Sequence, residues 1–238
     1  MTAFFDYPKG AAFGRVLPKN KIYEHTGAST ALKDLFITQV DQIVWKFKLA
    51  PETINLAATR SVTEIQIFAI SLRRADLDLE VLRAIDRAIP FPLIFELNWS
   101  GKRKVIAAFK RPSEADFTKW VVSEYFETDW VEEAASRQTL PIALNLGALY
   151  EQMLTALMPE HASPDEDIQA RVARIETIRV KAREVDRIKA RLDREKQFNK
   201  RVEINAELRE AKQHLAEIQQ NGLANADSRQ SAASEQKE

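Results

Sequence analysis

The last third of the chain has no proline and no glycine between residues 165 and 221, which leaves the α-helix as its most favourable structure. Alanine, glutamate, lysine, arginine, isoleucine and leucine dominate this segment, as they do in long helices. All four tryptophans and eleven of the twelve phenylalanines precede Pro159, so the residues that build a core lie before it. The sequence therefore predicts a globular domain over residues 1–160, a helical coiled-coil arm over 161–221 and a disordered polar tail over 222–238. The stretch MPEHASPDEDIQ is the predicted hinge between domain and arm.

Apolar residues in the arm recur every three or four positions, which is the spacing of a coiled-coil seam. The predicted seam consists of Ile168, Val172, Ile175, Val185, Ile188, Leu192, Phe198, Ile204, Leu208 and Leu215. A charged helical arm buries little apolar surface by itself, so we expect the seam to dock a protein partner or a second copy of the chain. The alternative is that the seam packs on the globular domain or on the arm itself.

The rhythm of this seam fails between Leu192 and Ile204. At 100° per residue these two side chains lie about 120° apart around a straight helix, so one rod would place its two seams on different faces. A turn near residues 197–200 would let the second helix fold back on the first, with Asn199 in the turn and Phe198 filling the tip. The phase break favours this antiparallel hairpin, and a continuous helix with a stutter is the alternative.

The first 160 residues have the pattern of an α+β domain: a mixed sheet with a β-hairpin and flanking helices. Helical spacing of apolar residues predicts helices over residues 29–40, 76–88 and 145–158, the first of them capped by Ser29. Runs of β-branched and aromatic residues predict strands over 43–49, 62–72, 92–98, 103–110 and 121–130. The third and fourth strands form a hairpin whose turn contains Ser100 and Gly101.

The hairpin turn carries the clearest basic patch of the sequence. Its candidate nucleic-acid-binding residues are Trp99, Lys102, Arg103, Lys104, Lys110 and Arg111, with no acidic residue between Asn98 and Pro112. A basic tip with an aromatic ring can contact phosphates and stack on a base. The alternative is a solvated turn that protects the sheet from edge-to-edge aggregation.

Two carboxylates on predicted strands are weak candidates for catalysis. Glu64 opens one apolar strand and Glu96 lies within another. Metal-dependent nucleases hold their metal with an acid on one strand and an acid-x-lysine on its neighbour. Here Gln66 and Asn98 stand where that lysine would be. A strand acid paired with an arginine is therefore the favoured interpretation, and a degenerate nuclease site is the alternative.

The remaining composition predicts no metal and no cofactor. The three histidines, His25, His161 and His214, have no metal-ligand spacing, and the six glycines form no phosphate-binding loop. The chain has no cysteine, which fits a reducing cytoplasm. Its 35 basic residues balance 35 acidic ones, which argues against a generic nucleic-acid or membrane binder. Neither a signal peptide nor an apolar run of about 20 residues is present, so we expect a cytoplasmic protein.

Several segments together resemble a known family. They are LPKNKIYEH, LAPETINLAATRSVTEIQIFAISLR, AIPFPLIFEL, YFETDW, LPIALNLGALYEQML and EKQFNKRVEINAELR, in this order. The chain resembles, from about Leu17 to Gln220, a bacterial and archaeal family that is defined as a domain of unknown function. Genes of that family often lie beside a Swi/Snf-type helicase and a type III-style DNA methyltransferase. The resemblance implies a role in DNA restriction or anti-phage defence, and it assigns no active-site residue.

These observations favour a non-catalytic adaptor that docks a helicase or a methyltransferase through its helical arm. A nucleic-acid-binding module that uses the basic hairpin is an alternative and is compatible with the adaptor. A divergent metal-dependent nuclease that uses Glu64 or Glu96 is the other alternative.

Overall fold

The structure, a computed structural model, describes residues 3–116, 119–159 and 166–235, with side chains described through residue 219. It divides into two compact units, residues 1–158 and residues 159–238. Half of the predicted hinge, residues 160–165 with His161 among them, lies outside the described residues. No helix in the described part of the chain combines the length and apolarity needed to cross a bilayer.

The first unit is an α+β domain with five helices and nine strands among its described residues. Its helices are α1 (Lys19–Thr26), α2 (Thr30–Gln39), α3 (Pro51–Ile54), α4 (Leu79–Ala88) and α5 (Leu146–Thr155). Its longer strands are β2 (Ala12–Val16), β3 (Val40–Leu49), β4 (Ile65–Leu72), β5 (Leu93–Trp99), β6 (Lys102–Pro112) and β7 (Trp120–Glu127). The two-residue strands are β1 (Phe5–Asp6), β8 (Val131–Glu132) and β9 (Gln138–Thr139).

The main sheet is mixed, as the sequence predicts. Its strand order is β2-β3-β4-β5-β6-β7, and β8 also pairs with β6. All neighbours are antiparallel except β4 and β5, which run parallel and are connected through α4. Strands β1 and β9 form a separate parallel pair. The sequence patterns miss β1, β2, α1, α3, β8 and β9, which are short or have few apolar residues.

Local sequence signals account for several element boundaries. The hydroxyl of Ser29 accepts a hydrogen bond from the Leu32 amide at 3.2 Å, so Ser29 caps α2 as predicted. The turn between β5 and β6 has positive φ at both central residues, 48° at Ser100 and 75° at Gly101. This backbone matches the right-handed twist of the hairpin strands, and glycine adopts it without a steric cost.

The larger core lies between the sheet and the helices α1, α2 and α4. Aromatic side chains of the central strands, Phe68 and Phe95, contact each other there with ring centroids 6.5 Å apart. Phe36 of α2 and Ile85 of α4 are fully buried in the same cluster. Complete burial of each such side chain stabilises the fold by about 1.5–3 kcal/mol.

A charged group lies inside this domain. Lys110 of β6 is 1% exposed, and its ammonium donates hydrogen bonds to the carbonyls of Asp86 and Ile89 at the end of α4. The same ammonium lies 3.4 Å from the Asp86 carboxylate, which also accepts a hydrogen bond from the Tyr125 hydroxyl. Burial lowers the pKa of Lys110 and raises the pKa of Asp86, because water no longer solvates either charge. Lys110 thus ties the carboxyl end of α4 to the sheet.

The second unit is helical. Helix α6 spans Ile168–Arg194 and helix α7 spans Phe198–Glu235. The break between them covers residues 195–197 and begins two residues before the predicted turn at 197–200. There the Glu195 carboxylate accepts hydrogen bonds from the amides of Lys196 and Gln197, both at 2.8 Å. Arg201 of α7 donates a hydrogen bond to the Glu195 carbonyl at 3.0 Å. Glu195 has an extended backbone, so this turn requires neither glycine nor proline.

Five of the predicted seam residues belong to one apolar cluster between α6 and α7. Ile188, Ile204 and Leu208 are its buried members, and Val185 and Leu192 contact it. The structure also buries Val172 and Ile175, while Ile168 and Leu215 are half-buried.

Two predictions about the arm differ from the structure. Phe198 was expected to fill the tip of the turn, but its side chain is 77% exposed because the turn ends before it and Phe198 begins α7. Asn199 is likewise helical rather than a turn residue. In the predicted disordered tail, α7 continues through the alanine-containing segment to Glu235, and residues 236–238 lie outside the described ones.

Removing the buried cation tests its structural role. The substitution Lys110→Met leaves the Asp86 carboxylate buried without its countercharge, and we expect it to lower the free energy of unfolding by about 3–5 kcal/mol. The matched control is Lys104→Met on the same strand, whose ion pair with Glu127 is partly exposed and contributes at most about 1 kcal/mol. Urea denaturation of both variants measures the difference, and equal losses would contradict the anchoring role.

Candidate functional site

The basic patch predicted at the hairpin is divided by the fold. Lys110 and Arg103 are 1% and 5% exposed, so neither side chain can reach a phosphate at the surface. Arg103 donates a hydrogen bond to the Ala135 carbonyl, and its guanidinium lies over the ring of Phe4 at 4.7 Å. These two members of the predicted nucleic-acid-binding set are therefore corrected to buried structural cations.

The other members of the patch remain nearer the surface but contact acidic residues of adjacent segments. The ammonium of Lys104 lies 2.8 Å from the Glu127 carboxylate, and that of Lys102 lies 4.0 Å from Glu132. Arg111 contacts Glu114 at 3.3 Å. Trp99 packs edge-to-face on Trp130, with ring centroids 6.3 Å apart. The sequence has no acid between Asn98 and Pro112, but β7, β8 and the loop between β6 and β7 supply acids in space, which lowers the local positive charge.

Glu96 lies at the centre of a buried ion-pair cluster. Its side chain is 1% exposed, and the guanidinium of Arg137 donates to both carboxylate oxygens at 2.7 and 2.9 Å. The ammonium of Lys46, on β3, lies 3.4 Å from the second oxygen. The hydrogen bond to Glu96 raises the pKa of Arg137, so this guanidinium stays charged. This is the carboxylate–arginine pair that the sequence favours for a strand acid.

Two further polar groups are electrostatically coupled to this pair. Burial raises the pKa of the Tyr7 phenol, and the negative charge of Glu96 raises it further. Burial lowers the pKa of Arg103, and the positive charge of Arg137 adds to the shift. Arg137 also donates a hydrogen bond to the Phe5 carbonyl at 2.8 Å, which ties the N-terminal segment to the same cluster.

Glu64 is placed in a smaller polar contact. It immediately precedes β4 and its side chain is 12% exposed. The ammonium of Lys48 lies 3.3 Å from one carboxylate oxygen, and the Gln66 amide donates to the other. Lys48 and Gln66 oppose each other in the β3–β4 ladder, which explains why both reach Glu64.

The cationic side chains that pair with Glu96 and Glu64 limit the ability of these carboxylates to bind a metal ion. A metal at Glu96 would compete with the guanidinium of Arg137, which donates to both carboxylate oxygens, and with the ammonium of Lys46. Among the described residues, no three histidine or acidic side chains group closely enough to hold a metal ion. The geometry assigns Glu96 and Glu64 to ion pairs within the sheet and supports a structural role for both.

Sequence patterns missed the partners that define these sites. Arg137 lies in a polar loop 41 residues from Glu96, and Asp86 lies on a helix 24 residues from Lys110. Asp86 does carry a detectable signal, since it follows Val81, Leu82 and Ile85 on the buried part of α4, where an acid requires a partner. Arg137 carries no such signal in its own sequence.

A double-mutant cycle tests whether Glu96 is structural. Arg137→Met leaves a buried carboxylate with only Lys46 beside it, and we expect a loss of about 3 kcal/mol in the free energy of unfolding. Adding Glu96→Leu to that variant removes the stranded charge and recovers most of the loss. Chemical denaturation of the two single variants and the double variant provides the measurement. A divalent-dependent nuclease activity that Glu96→Gln abolishes without loss of stability would contradict this assignment.

The comparisons with known proteins assign the chain to a family and give no activity. Neither a curated protein nor a solved structure matches the chain. The profile of one family, described as a domain of unknown function (DUF4391), matches residues 5–215. The match covers nearly all of the first unit, all of α6 and the part of α7 up to residue 215. The chain therefore belongs to the DUF4391 family.

Proposed function

We propose that the protein is a non-catalytic adaptor of a DNA restriction or anti-phage defence system, and that its helical arm docks a helicase or DNA methyltransferase. In this proposal, α6 and α7 form an antiparallel coiled-coil hairpin, and its tip binds the partner protein. The observation that carries the proposal is the exposure of two large apolar side chains, Phe198 and Val202, at the start of α7.

The hairpin is supported by contacts that require the helices to lie side by side. Ile188 of α6 shares an apolar cluster with Ile204 and Leu208 of α7. Arg191 of α6 also forms an ion pair with Glu207 of α7. The two helices are separated by only three residues, and such short connections are typical of antiparallel neighbours.

The tip residues face away from this cluster. Phe198 is 77% exposed and Val202 is 53% exposed, and they lie four residues apart on one face of α7. At 100° per residue, their face lies more than about 100° from that of Ile204 and Leu208. Adjacent exposed aromatic and aliphatic side chains cost solvation free energy in the free chain and are typical anchors of protein interfaces.

The choice of partner rests on the family resemblance described above, since genes of such families often lie beside helicases and methyltransferases. The chain supplies an arm, and its strand carboxylates are neutralised by ion pairs to Arg137, Lys46 and Lys48. An adaptor fits both features better than an enzyme does.

Spin-label distances test the hairpin. The chain has no native cysteine, so Thr177→Cys and Gln213→Cys label only these two exposed positions. Side-by-side helices have axes about 8–10 Å apart, so we expect labels within about 30 Å of each other. A continuous helix would separate the two positions by about 54 Å. Pulsed electron resonance on the full chain distinguishes the two values, and the longer distance would reject the hairpin.

Partner capture tests the docking surface. A tagged full chain expressed in its host should retain a helicase or a DNA methyltransferase that mass spectrometry identifies. The double variant Phe198→Ser/Val202→Ser should weaken the affinity for that purified partner by about 30-fold or more, because it removes a central apolar anchor. Affinity is measured by biolayer interferometry.

The matched control for this experiment is Val180→Ser on α6. Val180 has the same exposed fraction as Val202, 53%, but does not lie on the Phe198 face. We expect it to retain full partner affinity. Equal losses in both variants, or a self-association that the double variant dissociates while no such enzyme is captured, would contradict the proposed docking surface.

A further inference from the structure

A row of arginines along α6 forms a surface distinct from the proposed protein-docking tip. Arg183, Arg187, Arg191 and Arg194 are spaced by four, four and three residues, and all four are exposed. At 100° per residue they lie within an arc of about 80°, so they share one face of the helix. The row is about 16 Å long at 1.5 Å per residue.

Charge is concentrated around this row. Between residues 179 and 201 the chain has ten lysines and arginines against four acidic residues, a net charge of +6, whereas the whole chain has a net charge of zero. Of the acids within this segment, Glu184 is paired with Lys181 at 2.9 Å, and the Glu195 carboxylate accepts the amides of the turn. Asp186 and Asp193 lie on the adjacent side of the helix, about 60° or more beyond the edge of the row.

The guanidiniums of the row differ in what they contact. Arg191 is paired with Glu207 of α7, and Arg183 also has an interaction of its own. Arg187 and Arg194 form no ion pair with any residue that the structure describes. These two residues, with Ala190, Arg191 and Glu195, line an open depression of about 500 Å³ on the surface of the arm.

We propose that this arginine row binds the phosphodiester backbone of a nucleic acid. A straight helix presents cations spaced by four residues at a regular rise of about 6 Å, which suits a polyanion with regularly spaced charges. Each strand carries one charge per about 3.4 Å of duplex axis, so a row of about 16 Å can face four or five phosphates. Arginine forms bidentate hydrogen bonds to phosphate oxygens, and the depression between Arg187 and Arg194 is open to solvent.

Two other polyanionic partners fit the row less well. An anionic membrane surface would favour apolar side chains interleaved with the cations, but the row contains only Ala190 between its arginines. An acidic protein surface would need carboxylates at the same regular spacing. A sequence-independent contact with the nucleic-acid backbone requires only the repeating phosphate.

The test measures binding of the full chain to a fluorescein-labelled DNA duplex by fluorescence anisotropy, over salt concentrations from about 50 to 200 mM. The variant Arg187→Gln/Arg194→Gln removes the two guanidiniums that have no ion pair among the described residues. We expect its affinity at the lowest salt to fall by about tenfold or more, and its log–log salt slope to decrease by about 0.9 for each arginine.

A matched control and an opposite variant sharpen this test. Arg209→Gln/Lys212→Gln makes the same change in net charge at exposed positions of α7, and it should change the affinity by less than about threefold. Glu207→Gln releases Arg191 from its ion pair, and it should tighten binding by about threefold. A gain in affinity cannot result from loss of folding.

Three results would overturn the proposal. The first is that the unchanged chain fails to bind the duplex at the lowest salt. The second is an equal loss for the control pair, which would mean that net charge alone governs binding. The third is binding of poly-glutamate, but not DNA, with the same dependence on Arg187 and Arg194, which would identify an acidic-protein site. Phe198→Ser/Val202→Ser should leave DNA binding unchanged, so this test and that of the adaptor proposal can fail separately.

Discussion

The buried ammonium of Lys110 is the interaction on which the first unit depends, because it connects strand β6 of the sheet to helix α4. A lysine at 1% exposure is stable only if its charge is solvated by protein groups. The carbonyls of Asp86 and Ile89 and the Asp86 carboxylate provide that solvation, and all three belong to the end of α4. The helix dipole places partial negative charge at this end of α4. The Lys110 ammonium therefore stabilises the helix terminus, and the terminus in turn solvates the buried ammonium. Any slip of α4 along the sheet would leave the charge without a partner.

A second charged cluster, around Glu96, connects the N-terminal segment to the sheet. Glu96 extends from a central strand to Arg137, and Arg137 in turn holds the Phe5 carbonyl. The loop after β8, the start of the chain and strands β3 and β5 therefore meet at one carboxylate. Buried pairs of this kind add little net stability relative to an apolar replacement, but they penalise every arrangement that separates the partners. They specify which loop covers which strand.

The second unit is organised differently, since it exposes charged and apolar side chains on separate surfaces. One apolar seam between α6 and α7 forms around Ile188, Ile204 and Leu208, and other faces carry either the exposed arginines of α6 or the exposed Phe198 and Val202 of α7. A long helix pair with two unlike surfaces is suited to bringing two kinds of partner together. If both proposals hold, the arm would join a DNA-acting enzyme to the nucleic acid itself, which is consistent with the neighbourhood that the family resemblance implies.

The structural features that the sequence predicts are those that depend on residues close together in the chain. The cap at Ser29, the turn at Ser100 and Gly101, the strands β3 to β7 and the phase break before Ile204 all depend on neighbouring residues, and the sequence alone predicts them. The predicted turn lies too late in the chain. The Glu195 carboxylate stabilises the observed turn by accepting hydrogen bonds from the next two backbone amides, so the turn needs no glycine or proline that would mark it in the sequence. The sequence also predicts Lys110 and Arg103 to be exposed nucleic-acid-binding residues, although both side chains are buried in the structure. In sequence they extend a basic hairpin, and only the packing of α4 and the Ala135 loop against β6 turns them inward. Short-range periodicity thus determined the elements and their order, whereas the tertiary structure alone decided which charges are buried and paired, because those partners lie tens of residues apart.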